Sequence, residues 1–283
     1  MSSTRVAIQG IATSFHDFAA KKYFGSNAVS VECSSFKAVC ECLKNGNSDF
    51  GVMAIENSIT GSILGNYTLL SSYHFKIIGE VFLHIQMNLM AHPGVELKDI
   101  EVIQSHPVAI RQCGEFLETF SEKIKILEKS DTASSAKQIM DEKLKNTAAI
   151  AGAEVARVYG LDILEKRIED NKKNYTRFLI LSNEPNVDKT NNKASLCFEL
   201  GHQVGALSIV LNILKEHSIN MTKIQSLPIV GKPYEYSFHV DVEWSDYNMY
   251  EKAINLVLRN VSTLTVLGEY QKGEFDNSFK NGD

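Results

Sequence analysis

From Arg5 to Ile55 short apolar runs alternate with longer amphipathic ones: RVAIQ, SFHDFAAKKYFG, VSVEC, SFKAVCECLKNG and DFGVMAI. No other feature restricts the fold as much, because strands separated by helix-length segments read as β-α-β-α-β. Ser14 with Asp17 three residues later forms a capping-box pattern, and Gly25 is placed to stop the first helix. In the second helix Phe36, Val39, Cys40 and Leu43 recur at i, i+3, i+4 and i+7, an apolar stripe that faces a sheet. Strand material continues in KIIGEVFLHIQMNLMA. A second set then repeats the alternation: IEVIQS, VAIRQCGEFLETF, KIKIL, TASSAKQIMDEKL and TAAIA, followed by the short helix AEVARVYG and the run YTRFLILS. Two such lobes joined by crossing strands leave a cleft, and ligands of α/β sheets bind beyond the carboxyl ends of strands.

The segment NEPNVDKTNNK, residues 183–193, is polar and aperiodic, which marks a linker. Beyond it ASLCFEL reads as a strand, and the next helix carries Leu207, Val210, Leu211 and Leu214 on one face. MTKIQSLP and YEYSFHVDVEW are strands, the second alternating Tyr236, Phe238, Val240 and Val242. A helix with Tyr250, Ala253, Ile254, Val257, Leu258 and Val261 precedes a last strand, LTVLGEY. The order is β-α-β-β-α-β, the ferredoxin-like arrangement. From Gly273 onward the chain is a polar tail.

Charge narrows the partners. With 29 Lys and Arg against 34 Asp and Glu the net charge is −5, so no basic excess points to nucleic acid or an anionic membrane surface. An anionic ligand must then be held by local cations and backbone donors. The segment MSSTRVAIQG lacks a charged n-region followed by an apolar h-region, and no stretch approaches the roughly 18 apolar residues of a membrane span. A cytoplasmic location is expected. Cys33, Cys40, Cys42, Cys113 and Cys197 are an odd set without C-x-x-C spacing, so free thiols are expected rather than a zinc site or disulfides.

Polar residues gather where strands end. Glu56, Asn57 and Ser58 follow FGVM; a turn with a capping Glu explains them as well as a site does. Ser105 ends a strand before His106-Pro107, with Gln112 further along the helix, and Ser105 has the alternative role of an N-cap. Thr132 in SDTASSA lies at another strand-to-helix junction, where free backbone N–H groups favour an anion, or it is a plain cap. Thr176 and Arg177 open the run before Phe178. Ser14, Asn57, Ser58, Ser105, Thr132 and Thr176 thus all fall at junctions expected on one side of the lobes, with Arg177 the obvious cation. No metal cluster, Walker loop or Ser-His-Asp order is present, and GIATS lacks the glycines of a dinucleotide loop. These residues read as a two-lobed α/β domain that binds a small polar anion without cofactor or metal.

The segment YGLDILEKRIEDNKKNYTRFLIL, with Asp170 and Thr-Arg-Phe, resembles prephenate dehydratase. AIENSITGSI resembles that family's Glu-Asn-Ser segment and SHPVAIRQC its Ser-His-Pro segment; GALSIVL and MTKIQSLP resemble two motifs of its regulatory ACT domain. The resemblance runs from about Arg5 to Tyr270. Departures include Ile11 and Thr13, where the family usually places Pro and Gly, and Gln225 and Leu227 in QSLP, where it usually places Glu and Arg. No chorismate mutase segment is expected ahead of Arg5.

The resemblance implies a two-lobed, periplasmic-binding-protein-like catalytic domain over residues 1–182, the linker 183–193, a ferredoxin-like ACT domain over 194–272 and a tail over 273–283. It implies conversion of prephenate to phenylpyruvate, CO2 and water, without cofactor. Thr176, Arg177, Glu56 and Asn57 would be catalytic: Thr176 assists departure of the hydroxyl, Glu56 is the rival acid, and Arg177 grips a carboxylate. Ser14, Ser58, Ser105, Gln112, Thr132 and Phe178 would bind substrate. Gly205, Ala206, Leu207, Gln225, Ser226, Leu227 and Pro228 would take L-phenylalanine between ACT domains of a homodimer or homotetramer. Arogenate dehydratase, with an amino in place of a keto group on the substrate, is the nearest alternative; a non-catalytic amino-acid sensor or solute-binding protein is the other.

Overall fold

The computed structural model describes residues 3–275 apart from 121–123, 187, 202 and 230. In chain order the first lobe carries β1 (Arg5–Gln9), α1 (Phe15–Phe24), β2 (Val29–Cys33), α2 (Phe36–Lys44), β3 (Phe50–Asn57) and β4 (Gly61–Ser62). After α3 (Leu64–Tyr73) comes β5 (Lys76–His84). The second lobe follows with β6 (Asn88–Ala91), β7 (Val102–Ser105), α4 (Pro107–Arg111), α5 (Gly114–Glu118), β8 (Lys125–Glu128), α6 (Thr132–Asp141), β9 (Thr147–Ala151), α7 (Ala153–Tyr159) and β10 (Asp162–Glu165). The chain then enters β11 (Tyr175–Ser182).

One sheet runs β2-β1-β3-β11-β5 with β4 paired to β3, and another runs β10-β6-β9-β7-β8. β1 lies parallel to β2 and β3, and β7 parallel to β8 and β9, as helical crossovers require. Val39, Cys40 and Leu43 of α2 are buried as the stripe foretold. Gly25, at φ +87°, ends α1 with its N–H on the Lys21 carbonyl. The capping box is altered, however: Asp17 turns its carboxylate to the Thr13 N–H at 2.8 Å.

Two expected elements are divided. KIIGEVFLHIQMNLMA becomes β5 and β6 in different sheets, and Ile85 and Met87 at the crossing donate their N–H groups to the Asn174 carbonyl and the Glu169 carboxylate. The helix expected over VAIRQCGEFLETF breaks into α4 and α5, because Asp170 accepts the N–H groups of Gly114 and Glu115 at 3.0 and 3.1 Å and starts a new helix there.

The last elements are β12 (Lys193–Glu199), α8 (Ala206–Glu216), β13 (Asn220–Pro228), β14 (Tyr236–Glu243), α9 (Tyr247–Leu258) and β15 (Thr263–Tyr270). Their antiparallel sheet runs β13-β14-β12-β15, the ferredoxin-like order. Leu196, Phe198, Val210, Leu214, Val240, Val242 and Tyr250 form its core.

The chain divides into two compact units, and the cut differs from one made at the expected linker. Of the described residues, the first holds those up to Ile63, Phe82–Phe178 and Phe275; the second holds those of Leu64–Val81 and Leu179–Glu274. Within the second unit the reason is visible. Tyr67 of α3 meets His239 edge-on at 5.0 Å, Lys193 pairs with Glu80 at 3.0 Å, and a Cβ on Gly268 would lie 1.9 Å from the Ile77 carbonyl oxygen. Asn191, inside the expected linker, is buried and donates to the Glu269 carbonyl. Residues 276–283 of the expected tail lie outside the described residues.

Candidate active site

A cavity of about 300 Å³ lies within the first unit, lined by residues of both lobes. Gln9, Ser14, His16, Asn57 and Thr60 come from one lobe, His106, Gln112, Asp131 and Thr132 from the other, and Thr176 and Phe178 from β11. Phe36, Ile63, Ile85, Met87 and Val108 make the rest of the wall largely apolar.

Three side-chain amides fix its polar corner. Asn57 Nδ2 donates to Asn174 Oδ1 (2.6 Å), Asn174 Nδ2 to Gln112 Oε1 (2.9 Å), and Gln112 Nε2 back to Asn57 Oδ1 (3.3 Å). The ring closes, so each amide gives and receives, and such chains of hydrogen bonds strengthen one another in a low-dielectric interior. Asn57 Oδ1 also accepts the N–H groups of Ile59 and Thr60 at 3.0 Å, which sets the orientation of its amide. Its Nδ2 therefore points at Thr176 Oγ1, 3.0 Å away. A hydroxyl that accepts from an amide keeps its own proton to donate elsewhere.

Local sequence builds this corner. Asn57 ends β3 and Thr176 lies near the start of β11, so both fall at strand ends. Phe178 is two residues from Thr176 and shares its face. It is buried, and the His16 ring stands edge-on to it at 5.0 Å. Burial pushes the His16 imidazole down to about 3, so it is neutral at ordinary pH. Its Nε2 is buried without a hydrogen-bond partner among the described residues.

The ten-residue helices α1 and α6 both begin at the cavity, with Ser14 and Asp131 as N-caps and Thr132 opening α6. Their free N–H ends favour negative charge. Just before Ser14, Thr13 adopts φ +77°, the left-handed region that favours glycine. For a β-branched residue that costs roughly 1–2 kcal/mol.

Ser14, Asn57, Gln112, Thr132, Thr176 and Phe178 thus share one cavity, whereas four other expected site residues do not line it. Arg177 was expected to face the ligand beside Thr176, but consecutive strand residues point to opposite faces. Its buried guanidinium meets Glu56 instead, Nη1 to Oε1 at 3.1 Å. Ser58 Oγ donates to the Lys173 carbonyl and accepts the Tyr175 N–H, which ties the loop after β3 to β11. Ser105 is fully buried and donates to the Ile150 carbonyl at 2.6 Å. Sequence reasoning missed Asn174, His16 and Asp131; Asn174 is fully buried.

The second unit has its own cavity, about 310 Å³, with Gly205, Ala206 and Leu207 at the start of α8 and Tyr234, Tyr236 and Phe238 opposite. Gly205 sits at φ +81°. Gln225, Ser226, Leu227 and Pro228 lie on β13 and do not line it. Among the described residues no group of three or more His, Cys, Asp or Glu is set to hold a metal, and no helix is long and apolar enough to cross a membrane.

The family model for prephenate dehydratase matches residues 6–186. The chain belongs to the prephenate dehydratase family. Arogenate dehydratase/prephenate dehydratase 2, chloroplastic, of Arabidopsis thaliana is 36% identical over 286 residues, spanning 95% of this chain and 73% of that protein. Among solved structures, a prephenate dehydratase from Arthrobacter aurescens in complex with L-Phe is 25% identical with a TM-score of 0.83, covering 95% of this chain and 90% of its own. A protein described as a novel type of quorum quenching acylase is 27% identical, also at a TM-score of 0.83, over 95% of this chain and 98% of its own.

Proposed function

We propose that the cavity carries out the decarboxylating dehydration of a cyclohexadienol dicarboxylate, either prephenate, giving phenylpyruvate, or arogenate, giving phenylalanine. The observation that carries this reading is Thr176 Oγ1 held by Asn57 in the closed amide ring, at the edge of a largely apolar wall. Loss of CO2 leaves its bonding electrons in the ring, the ring hydroxyl departs with the opposite electron pair, and the product is aromatic. One proton is taken up per turnover to convert the departing hydroxide into water. Thr176 donates a hydrogen bond to that oxygen as charge develops on it. Apolar surroundings leave the ring carboxylate poorly solvated, which favours its release as CO2. The buried Arg177 and Glu56 act through the strands that bear Thr176 and Asn57 rather than by touching substrate.

An acylase reading is less well supported, because an amide donor on the Thr176 oxygen does not activate it as a nucleophile. The βαββαβ unit is read as an ACT domain whose cavity beside α8 takes L-phenylalanine, in a homodimer or homotetramer; the relative solved with L-Phe supports the effector. Five free cysteines suit the reducing cytoplasm. The test is incubation of the purified chain with prephenate and, separately, arogenate, following the aromatic product by its ultraviolet absorbance. Product from either substrate supports the reading, and none from both overturns it.

A further inference from the structure

The geometry points to Asp131 as the residue that recognises the amino group by which arogenate differs from prephenate, which makes arogenate the preferred substrate. This rests on the dehydratase reading above. Asp131 lines the cavity at the N-cap of α6, where its Oδ1 accepts the Ser134 N–H at 3.0 Å and fixes the carboxylate in place. Its Oδ2 lies toward Gly10, where an added Cβ would come within 3.0 Å of it, so the absent side chain leaves that oxygen room.

Among the described residues that line the cavity Asp131 is the one acid, and none is Lys or Arg. The two histidines of the wall, His16 and His106, are both pushed down by burial, and His16, at about 3, brings no positive charge at neutral pH. Burial raises the Asp131 carboxyl, and Glu32 adds to the rise, while N–H groups at the start of α6 and His106 oppose it. A ligand ammonium is the cation this wall lacks. Prephenate brings two carboxylates and a neutral keto oxygen; arogenate brings the same carboxylates with an ammonium at the keto position. The ring carboxylate and hydroxyl are common to both, so the role of Thr176 is the same for each.

The experiment compares kcat/KM for arogenate and prephenate in the full chain, in Asp131→Asn and in Asp131→Ser. Asn and Ser are both good N-caps, so α6 keeps its start while the charge is removed. The wild type is expected to favour arogenate. In both variants the arogenate-to-prephenate ratio falls by about 10- to 100-fold, the scale of one charge-assisted hydrogen bond, mainly through KM for arogenate. A wild type that favours prephenate overturns the assignment, as does a ratio that stays within about twofold in the variants, a change too small for such a bond. Equal loss of both activities in variants with unchanged melting temperature also overturns it, since Asp131 would then serve the shared chemistry. Turnover with an unchanged ratio sinks only Asp131; no turnover of either substrate by the wild type sinks the dehydratase reading with it.

Discussion

The cavity of the first unit and the one beside α8 in the second have nearly the same volume, about 300 and 310 Å³, yet their walls are made differently. The first is set by side chains locked to one another: three amides in a ring, a hydroxyl held by one of them, and a phenylalanine fixed by burial. The second is set by backbone, with a left-handed glycine at the start of a helix, and Tyr234 opposite it is 81% exposed. Equal volume therefore does not make the two cavities alike. What separates them is how far polar groups are oriented before a ligand arrives, because groups already aimed need no reorganisation during reaction.

The contrast can be broken at its strongest point first. Thr176→Ala should lower kcat by about 10²-fold or more while the fold is kept, the scale of positioned proton donation. Near-normal turnover would remove Thr176 from the mechanism. Asn174→Ala comes next. It leaves Gln112 Oε1 buried without its donor and frees Asn57 to turn, which should cost about 2–3 kcal/mol of stability by denaturant unfolding and reduce turnover, although Asn174 does not line the cavity. An unchanged unfolding midpoint would mean the ring carries little. Smallest is Gly205→Ala. Among the described residues no atom beyond its chain neighbours lies within 4 Å of the added Cβ, so the strain is that of the left-handed backbone, about 1 kcal/mol. Calorimetry should show weaker phenylalanine binding, and equal heats in both proteins would argue against an effector at α8.

Much of this contrast was readable before any coordinates. Alternating apolar runs gave the order of strands and helices, residues at strand and helix junctions gave Ser14, Asn57, Thr132 and Thr176 of the cavity, and Gln112 came from the helix after Ser105 and Phe178 from the family resemblance. The losses have separate physical causes. Arg177 was placed beside Thr176 by chemistry, although strand parity sends neighbours to opposite faces. Ser58 and Ser105 have the right position and type, but their hydroxyls are used up on backbone carbonyls. Asn174 looks like any polar residue near a strand start; its role depends on partners 117 and 62 positions away. The break between α4 and α5 depends in the same way on Asp170, which no local propensity signals.

Leu64–Val81 belongs to the second unit although it lies in sequence inside the first, so the backbone passes between the units at four places. A protease nick in residues 183–193, inside the second unit, would leave all four of these passages intact. A truncation ending at Ser182 would strand α3 and β5, with Glu80 buried and its partner Lys193 gone. Chimaeras that graft a foreign second unit onto this chain would accordingly have to exchange 64–81 together with the C-terminal segment, as one set.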